Sequence, residues 1–136
     1  MIKYLLTLTA VIETGTGLVM VMSPSLLATL LLGSSLDTPA AMTIGRVAGA
    51  ALITLGVACW LARKDTRSRA ATGLVAAMLL YNLAAVSILA STGIGRGPAG
   101  IALWPAVILH TTMAVWCIAC LRRKPVDAGE DLCSNY

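Results

Sequence analysis

The stretch Thr9-Ala10-Val11-Ile12-Glu13-Thr14-Gly15-Thr16-Gly17 decides how this chain is interpreted, because it places one carboxylate in the middle of an apolar segment, 4–22. A segment of this length and composition is typical of a helix that crosses a membrane. A charged side chain at the centre of such a helix costs about 2.5–3.5 kcal/mol on insertion scales. We therefore expect Glu13 to be neutral, paired, or turned toward a polar interior rather than toward lipid.

The composition of the whole chain supports this interpretation. Of 136 residues, 58% are hydrophobic and 12% are charged, whereas a soluble domain carries roughly 25% charged residues. Crossing a bilayer of roughly 30 Å takes about 20 helical residues, and four apolar blocks approach that length: 4–22, 41–62, 70–91 and 101–121. The sequence predicts an all-α membrane protein, a single four-transmembrane-helix bundle over 1–124. The polar segment 125–136 is predicted to be a disordered cytoplasmic tail.

Two local features modify this simple bundle. The apolar run 26–32, which follows Pro24, is too short to span a membrane and too apolar for a free loop. It predicts a short interfacial or re-entrant segment after the first long helix, followed by a turn and cap for the second at Asp37-Thr38-Pro39. Pro105, inside the fourth block, predicts a kink because it removes a helical hydrogen bond.

The basic residues predict the orientation of the bundle, because Lys and Arg near helix ends are retained on the cytoplasmic side. Eight of them fall on one side of a four-helix topology: Lys3, Arg63, Lys64, Arg67, Arg69, Arg122, Arg123 and Lys124. The chain is therefore predicted to be a multi-pass protein of the bacterial inner (plasma) membrane with cytoplasmic N- and C-termini. Topology explains the net charge of +4, so membrane lipids are expected partners and nucleic acid is not.

Polar residues of three helices fall at one predicted depth. With a rise of about 1.5 Å per residue, Glu13, Asn82 and His110 all lie near the midplane, and Arg46 lies roughly 7–8 Å further out. These four residues form the predicted ligand or proton site, with Arg46 as its lid or counter-ion. Four further residues are predicted as a secondary lining. Helical spacing adds Thr9, Thr16 and Met113, and Tyr81 is added as the neighbour of Asn82.

A structural interpretation of the same residues stays open. Arg46 could extend to the outer headgroups or form a structural pair with Glu13. His110 and Asn82 could serve only as hydrogen-bonding contacts between helices.

Other sequence patterns favour a role in structural packing over a role in metal binding, redox chemistry or catalysis. Cys117-Ile118-Ala119-Cys120 and Cys59 could bind a soft metal or exchange electrons, but buried small apolar residues are the better interpretation. Gly45, Gly49 and Gly56 favour close helix packing within the chain over a dimer motif. No catalytic triad or pair of carboxylates is visible, and one histidine excludes bis-histidine haem. We predict no cofactor and no metal site, and the sequence does not favour an enzyme.

Two family resemblances rest on short motifs. Glu13 followed by Thr14-Gly15-Thr16-Gly17 resembles the small multidrug resistance transporters, which implies exchange of protons for lipophilic cations at the first-helix glutamate. The run from Gly45-Arg46-Val47-Ala48-Gly49 to Gly56, together with the four-helix layout, resembles the DoxX-like bacterial inner-membrane proteins. Some members of that group serve as subunits of quinone-linked oxidoreductases, so the resemblance implies such a role as one alternative.

These observations define one leading hypothesis and two alternatives. The leading hypothesis is a small multi-pass inner-membrane protein whose midplane polar site binds a small molecule, a lipid-like ligand or a proton. Such a protein could act as an accessory subunit of a larger membrane complex or as a homo-oligomer. The first alternative is a proton-coupled exporter that acts as a homodimer. The second is a membrane subunit of a quinone- or thiol-linked oxidoreductase.

Overall fold

The chain is all-helical in the part that the structure, a computed structural model, describes: residues 1–65, 68–95 and 99–122. The helices in these ranges are α1 (Ile2–Met22), α2 (Pro24–Leu32), α3 (Pro39–Ala62), α4 (Arg69–Gly95) and α5 (Leu103–Arg122). All except α2 are long and apolar enough to cross a membrane. The prediction of four long apolar helices is therefore confirmed. The predicted tail, 125–136, and the basic residues Arg67, Arg123 and Lys124 lie outside the described residues.

The long helices pack as two antiparallel pairs, α1 with α3 and α4 with α5. The α1–α3 pair makes its closest approach where glycines remove the side chains. A Cβ atom on Gly49 would lie 2.8 Å from the carbonyl oxygen of Gly17 and 2.9 Å from the backbone nitrogen of Val21. Such contact between backbones is what glycine permits in apolar helix pairs. The glycine face of α3 is thus used for packing within the chain, as the sequence indicated.

One end of the bundle is filled by apolar side chains from all four long helices. It is the end at which α1 and α4 begin and α3 and α5 finish. We call this cluster the apolar floor, and its fully buried members are Leu5, Leu6, Ala10, Cys59, Val75, Met78, Met113, Cys117 and Cys120. The three cysteines are less than 5% exposed, which agrees with their predicted packing role.

The short helix α2 is tied to the opposite end of the bundle. Pro24 occupies its first turn, and Gly33 ends it in the left-handed conformation at φ 71°, which glycine adopts without strain. Its last carbonyl groups accept hydrogen bonds from the start of the α5 segment: Leu31 from Gly100 at 3.2 Å and Leu30 from Ala102 at 2.8 Å. The short apolar segment is therefore a helix that docks on the bundle.

Two details at the starts of helices test the sequence predictions. Thr38 caps α3 by accepting a hydrogen bond from the backbone N–H of Ala41 at 3.2 Å, as predicted. The predicted kink at Pro105 is wrong, because α5 begins at Leu103 rather than at residue 101. Pro105 therefore lies in the first turn, where its missing N–H has no helical partner to lose.

Candidate functional site

A cavity of about 290 Å³ lies between α1, α2, α4 and α5. Its polar lining consists of Glu13, Thr16, Tyr81 and His110, and the rest of the wall is apolar, including Leu27 and Leu31 of α2. We call it the polar cavity. Mainly apolar walls with a few convergent polar groups are typical of small-molecule sites.

The carboxyl group of Glu13 is turned into the bundle. Its side chain is 4% exposed, and the hydroxyl of Tyr81 donates a hydrogen bond to its Oε2 at 3.4 Å. That distance is long for an O–H···O contact, so the bond is weak. Glu13 is therefore turned into the interior of the bundle, where the mainly apolar cavity supplies one weak hydrogen-bond donor.

A second hydrogen-bonded pair joins α4 to α5 beside this group. Asn82, only 2% exposed, places its Oδ1 2.8 Å from Nδ1 of His110. Its Nδ2 donates to the backbone carbonyl of Met78 at 2.7 Å. The His110 ring also meets the Tyr81 ring edge-on, with centroids 5.7 Å apart and planes at 79°. The structure thus brings Glu13, Tyr81, Asn82 and His110 into one connected group.

Thr9 contributes a polar atom without a partner. Its side chain is 2% exposed, and its Oγ1 makes no hydrogen bond within the described residues. Thr111 and Thr112, in contrast, each donate to a carbonyl one helical turn earlier at 2.8 Å. Thr9 lies one turn from Glu13 on the same face of α1, so its hydroxyl is an unsatisfied polar group next to the site.

The change Thr9→Val tests whether this hydroxyl is unsatisfied in the folded protein. Valine keeps the branched shape and removes the polar atom, whose burial without a partner costs about 1–3 kcal/mol. We expect the free energy of unfolding in detergent to rise by about 1 kcal/mol. The control Thr112→Val removes a hydroxyl that has a partner and should not stabilise. A loss of stability in Thr9→Val would instead mean that a bound water or ligand satisfies Thr9.

Two of the predicted site residues lie elsewhere. Arg46 is exposed on α3, and it forms no ion pair with Glu13, although both residues are described. The reason is that Gly49 and Gly56 of α3 face α1, Gly45 faces Pro24 of α2, and no residue of α3 lines the polar cavity. The counter-ion role and the structural Glu13–Arg46 pair are therefore both absent from this structure. Met113 belongs to the apolar floor and not to the cavity lining. Thr9, although it lies next to Glu13, does not line the cavity either.

The contribution of α2 to the cavity goes beyond what was predicted from the sequence. Leu27 and Leu31 are one turn apart, and this spacing on a short apolar helix was the available signal for a shared face. Tyr81 was assigned a secondary lining position, yet it is the residue that contacts the Glu13 carboxyl. Within the ranges that the structure describes, no group of three His, Cys, Asp or Glu side chains is arranged to hold a metal ion.

Comparison with known proteins returned no matching family model, no matching curated protein and no matching solved structure. The two resemblances noted from the sequence therefore receive no support from these comparisons.

Proposed function

We propose that this chain is a multi-pass inner-membrane protein whose polar cavity binds a small, mainly apolar molecule. The membrane assignment is supported by the four long apolar helices and by the large apolar side chains on their outer faces. Ile44, Val47, Leu80, Ile88 and Ile108 are each more than 60% exposed. Apolar surface of this extent is stable in lipid and unfavourable in water.

The charge distribution supports the proposed orientation. Lys3, Arg63, Lys64, Arg69 and Arg122 all lie at the end of the bundle that carries the apolar floor. Under the positive-inside rule this end faces the cytoplasm. The polar cavity and α2 then lie toward the outer half of the membrane.

The observation that carries the binding proposal is the convergence of a buried carboxyl, a phenol hydroxyl and an imidazole on one cavity with otherwise apolar walls. Polar groups inside a membrane bundle are costly, so they favour a functional explanation. An accessory-subunit role is consistent with this proposal, because the outer faces of all four long helices remain available to a partner.

The change Glu13→Gln tests the binding proposal. We expect wild-type protein in native-lipid discs to retain a small molecule that mass spectrometry detects after denaturation, and Glu13→Gln to retain about tenfold less. That ratio corresponds to about 1.4 kcal/mol, within the range for one hydrogen bond to a buried group. The matched control Asp37→Asn neutralises an exposed carboxylate that does not line the cavity. Equal retention by wild type and Glu13→Gln, at equal stability, would contradict the proposal.

A second candidate is proton-coupled transport. It is supported by one observation: Glu13 is a buried ionisable group at a cavity that the apolar floor closes on the proposed cytoplasmic side. A transport cycle would need a second conformation in which the floor opens. Thiol redox chemistry has less support, because Cys59, Cys117 and Cys120 are buried in the floor and none of them lines the cavity.

A further inference from the structure

We infer that Asn82 fixes the tautomer of His110, and that the molecule bound in the polar cavity carries a hydrogen-bond donor, such as the hydroxyl of an apolar alcohol or phenol. This inference rests on the proposed binding function and names the class of ligand. Asn82 acts as a positioning residue, since it does not itself line the cavity.

The orientation of the Asn82 amide follows from its partners. One end of the amide lies 2.7 Å from the carbonyl oxygen of Met78, which can only accept a hydrogen bond. That end must therefore be the NH2 group, and the opposite arrangement would bring two oxygens together. The amide oxygen is left facing His110 Nδ1 at 2.8 Å.

The protonation of the His110 imidazole follows from this orientation of the Asn82 amide. An amide oxygen can only accept, so His110 Nδ1 must carry a proton. No ion pair joins His110 to Glu13 in the described residues, and an unpaired imidazolium in an apolar bundle would be costly. The ring is therefore neutral, with Nδ1 protonated and Nε2 bare.

The unprotonated Nε2 of His110 is available to accept a hydrogen bond from the ligand. His110 lines the polar cavity, and because Nδ1 is turned to buried Asn82, the opposite ring edge with Nε2 lies on the cavity side. Nε2 makes no hydrogen bond to any described residue. A ligand hydroxyl can donate to Nε2, whereas an ether can only accept. The cavity should therefore discriminate between two ligands of the same shape that differ in this donor.

The tautomer can be measured directly, because His110 is the only histidine in the chain. Protein labelled with 15N-histidine, in detergent micelles at a pH at which the imidazole is neutral, gives signals from a single ring. We expect the Nδ1–H form in wild type and a mixture of tautomers in Asn82→Leu. An Nε2–H form in wild type would overturn the inference, whether or not the variant folds.

The ligand class is tested with 4-propylphenol and 4-propylanisole, in which a methyl group replaces the hydroxyl proton. We expect wild type to bind the phenol about tenfold more tightly than the ether, and His110→Phe and Asn82→Leu to lose most of this preference. Equal binding of both probes by wild type would overturn the inference and leave the binding proposal standing. If neither probe binds and no small molecule is retained from native membranes, the binding proposal fails, while the tautomer measurement still decides the role of Asn82.

Discussion

The variant Gly49→Leu is expected to lose about 3 kcal/mol of stability and to fail to accumulate as a folded monomer. A Cβ at this position meets backbone atoms of α1, the Gly17 carbonyl oxygen and the Val21 nitrogen, both within 3 Å. Backbone atoms cannot rotate away as a flexible side chain can, so α1 and α3 must separate. Over-packing of a tight interior costs about 1–3 kcal/mol, and this contact lies at the upper end of that range. Denaturation in detergent, followed by helical circular dichroism, measures the loss.

A glycine with open space around it supplies the control. Gly73 lies on the exposed face of α4, and a Cβ there would meet no atom within 4 Å. Since leucine has a higher helix propensity than glycine, Gly73→Leu should be neutral or slightly stabilising. Similar losses of stability in Gly49→Leu and Gly73→Leu would show that the α1–α3 contact is not critical for the stability of the fold.

The second large effect is expected from Gly100→Val, which should open the polar cavity. A Cβ on Gly100 would collide with the Leu30 carbonyl oxygen and lie 2.6 Å from the Thr29 carbonyl oxygen. The two hydrogen bonds that hold α2 to the α5 segment are then lost. Because Leu27 and Leu31 form part of the cavity wall, displacement of α2 exposes the interior.

Thiol labelling measures this opening. In a Cys133→Ser background, Thr16→Cys places a thiol in the cavity lining, while the remaining native cysteines are buried. We expect maleimide to react about tenfold faster when Gly100→Val is added. This ratio corresponds to a free energy of cavity opening that is lower by about 1.4 kcal/mol. Gly95→Val is the matched control, since a Cβ at Gly95 meets nothing within 4 Å. An unchanged rate in Gly100→Val would show that α2 does not close the cavity.

The four long helices could be predicted from the sequence because continuous apolar blocks of about 20 residues have few alternative structures. The meeting of Asn82 and His110 could be anticipated as well, because helical rise converts sequence position into depth. Depth alone does not give rotation about the helix axis. Arg46 was therefore included in the site by depth, although it lies on the exposed side of α3.

The remaining differences between the predicted and the observed structure arise from tertiary contacts that the periodicity of the sequence does not encode. The expectation of a kink at Pro105 fails because the apolar block begins at residue 101, before the helix does, so that Pro105 falls in the first turn of α5. The docking of α2 depends on hydrogen bonds from Gly100 and Ala102, about 70 residues away in sequence. Only the fold brings these backbone groups together.

The apolar floor has a consequence for any molecule that reaches Glu13. The short helix α2 lies at one end of the bundle, and closely packed leucine, methionine and cysteine side chains fill the other end. If the polar cavity binds a small molecule as proposed, that molecule would enter and leave at the α2 end in this conformation, and its residence time would depend on the contacts that α2 makes there.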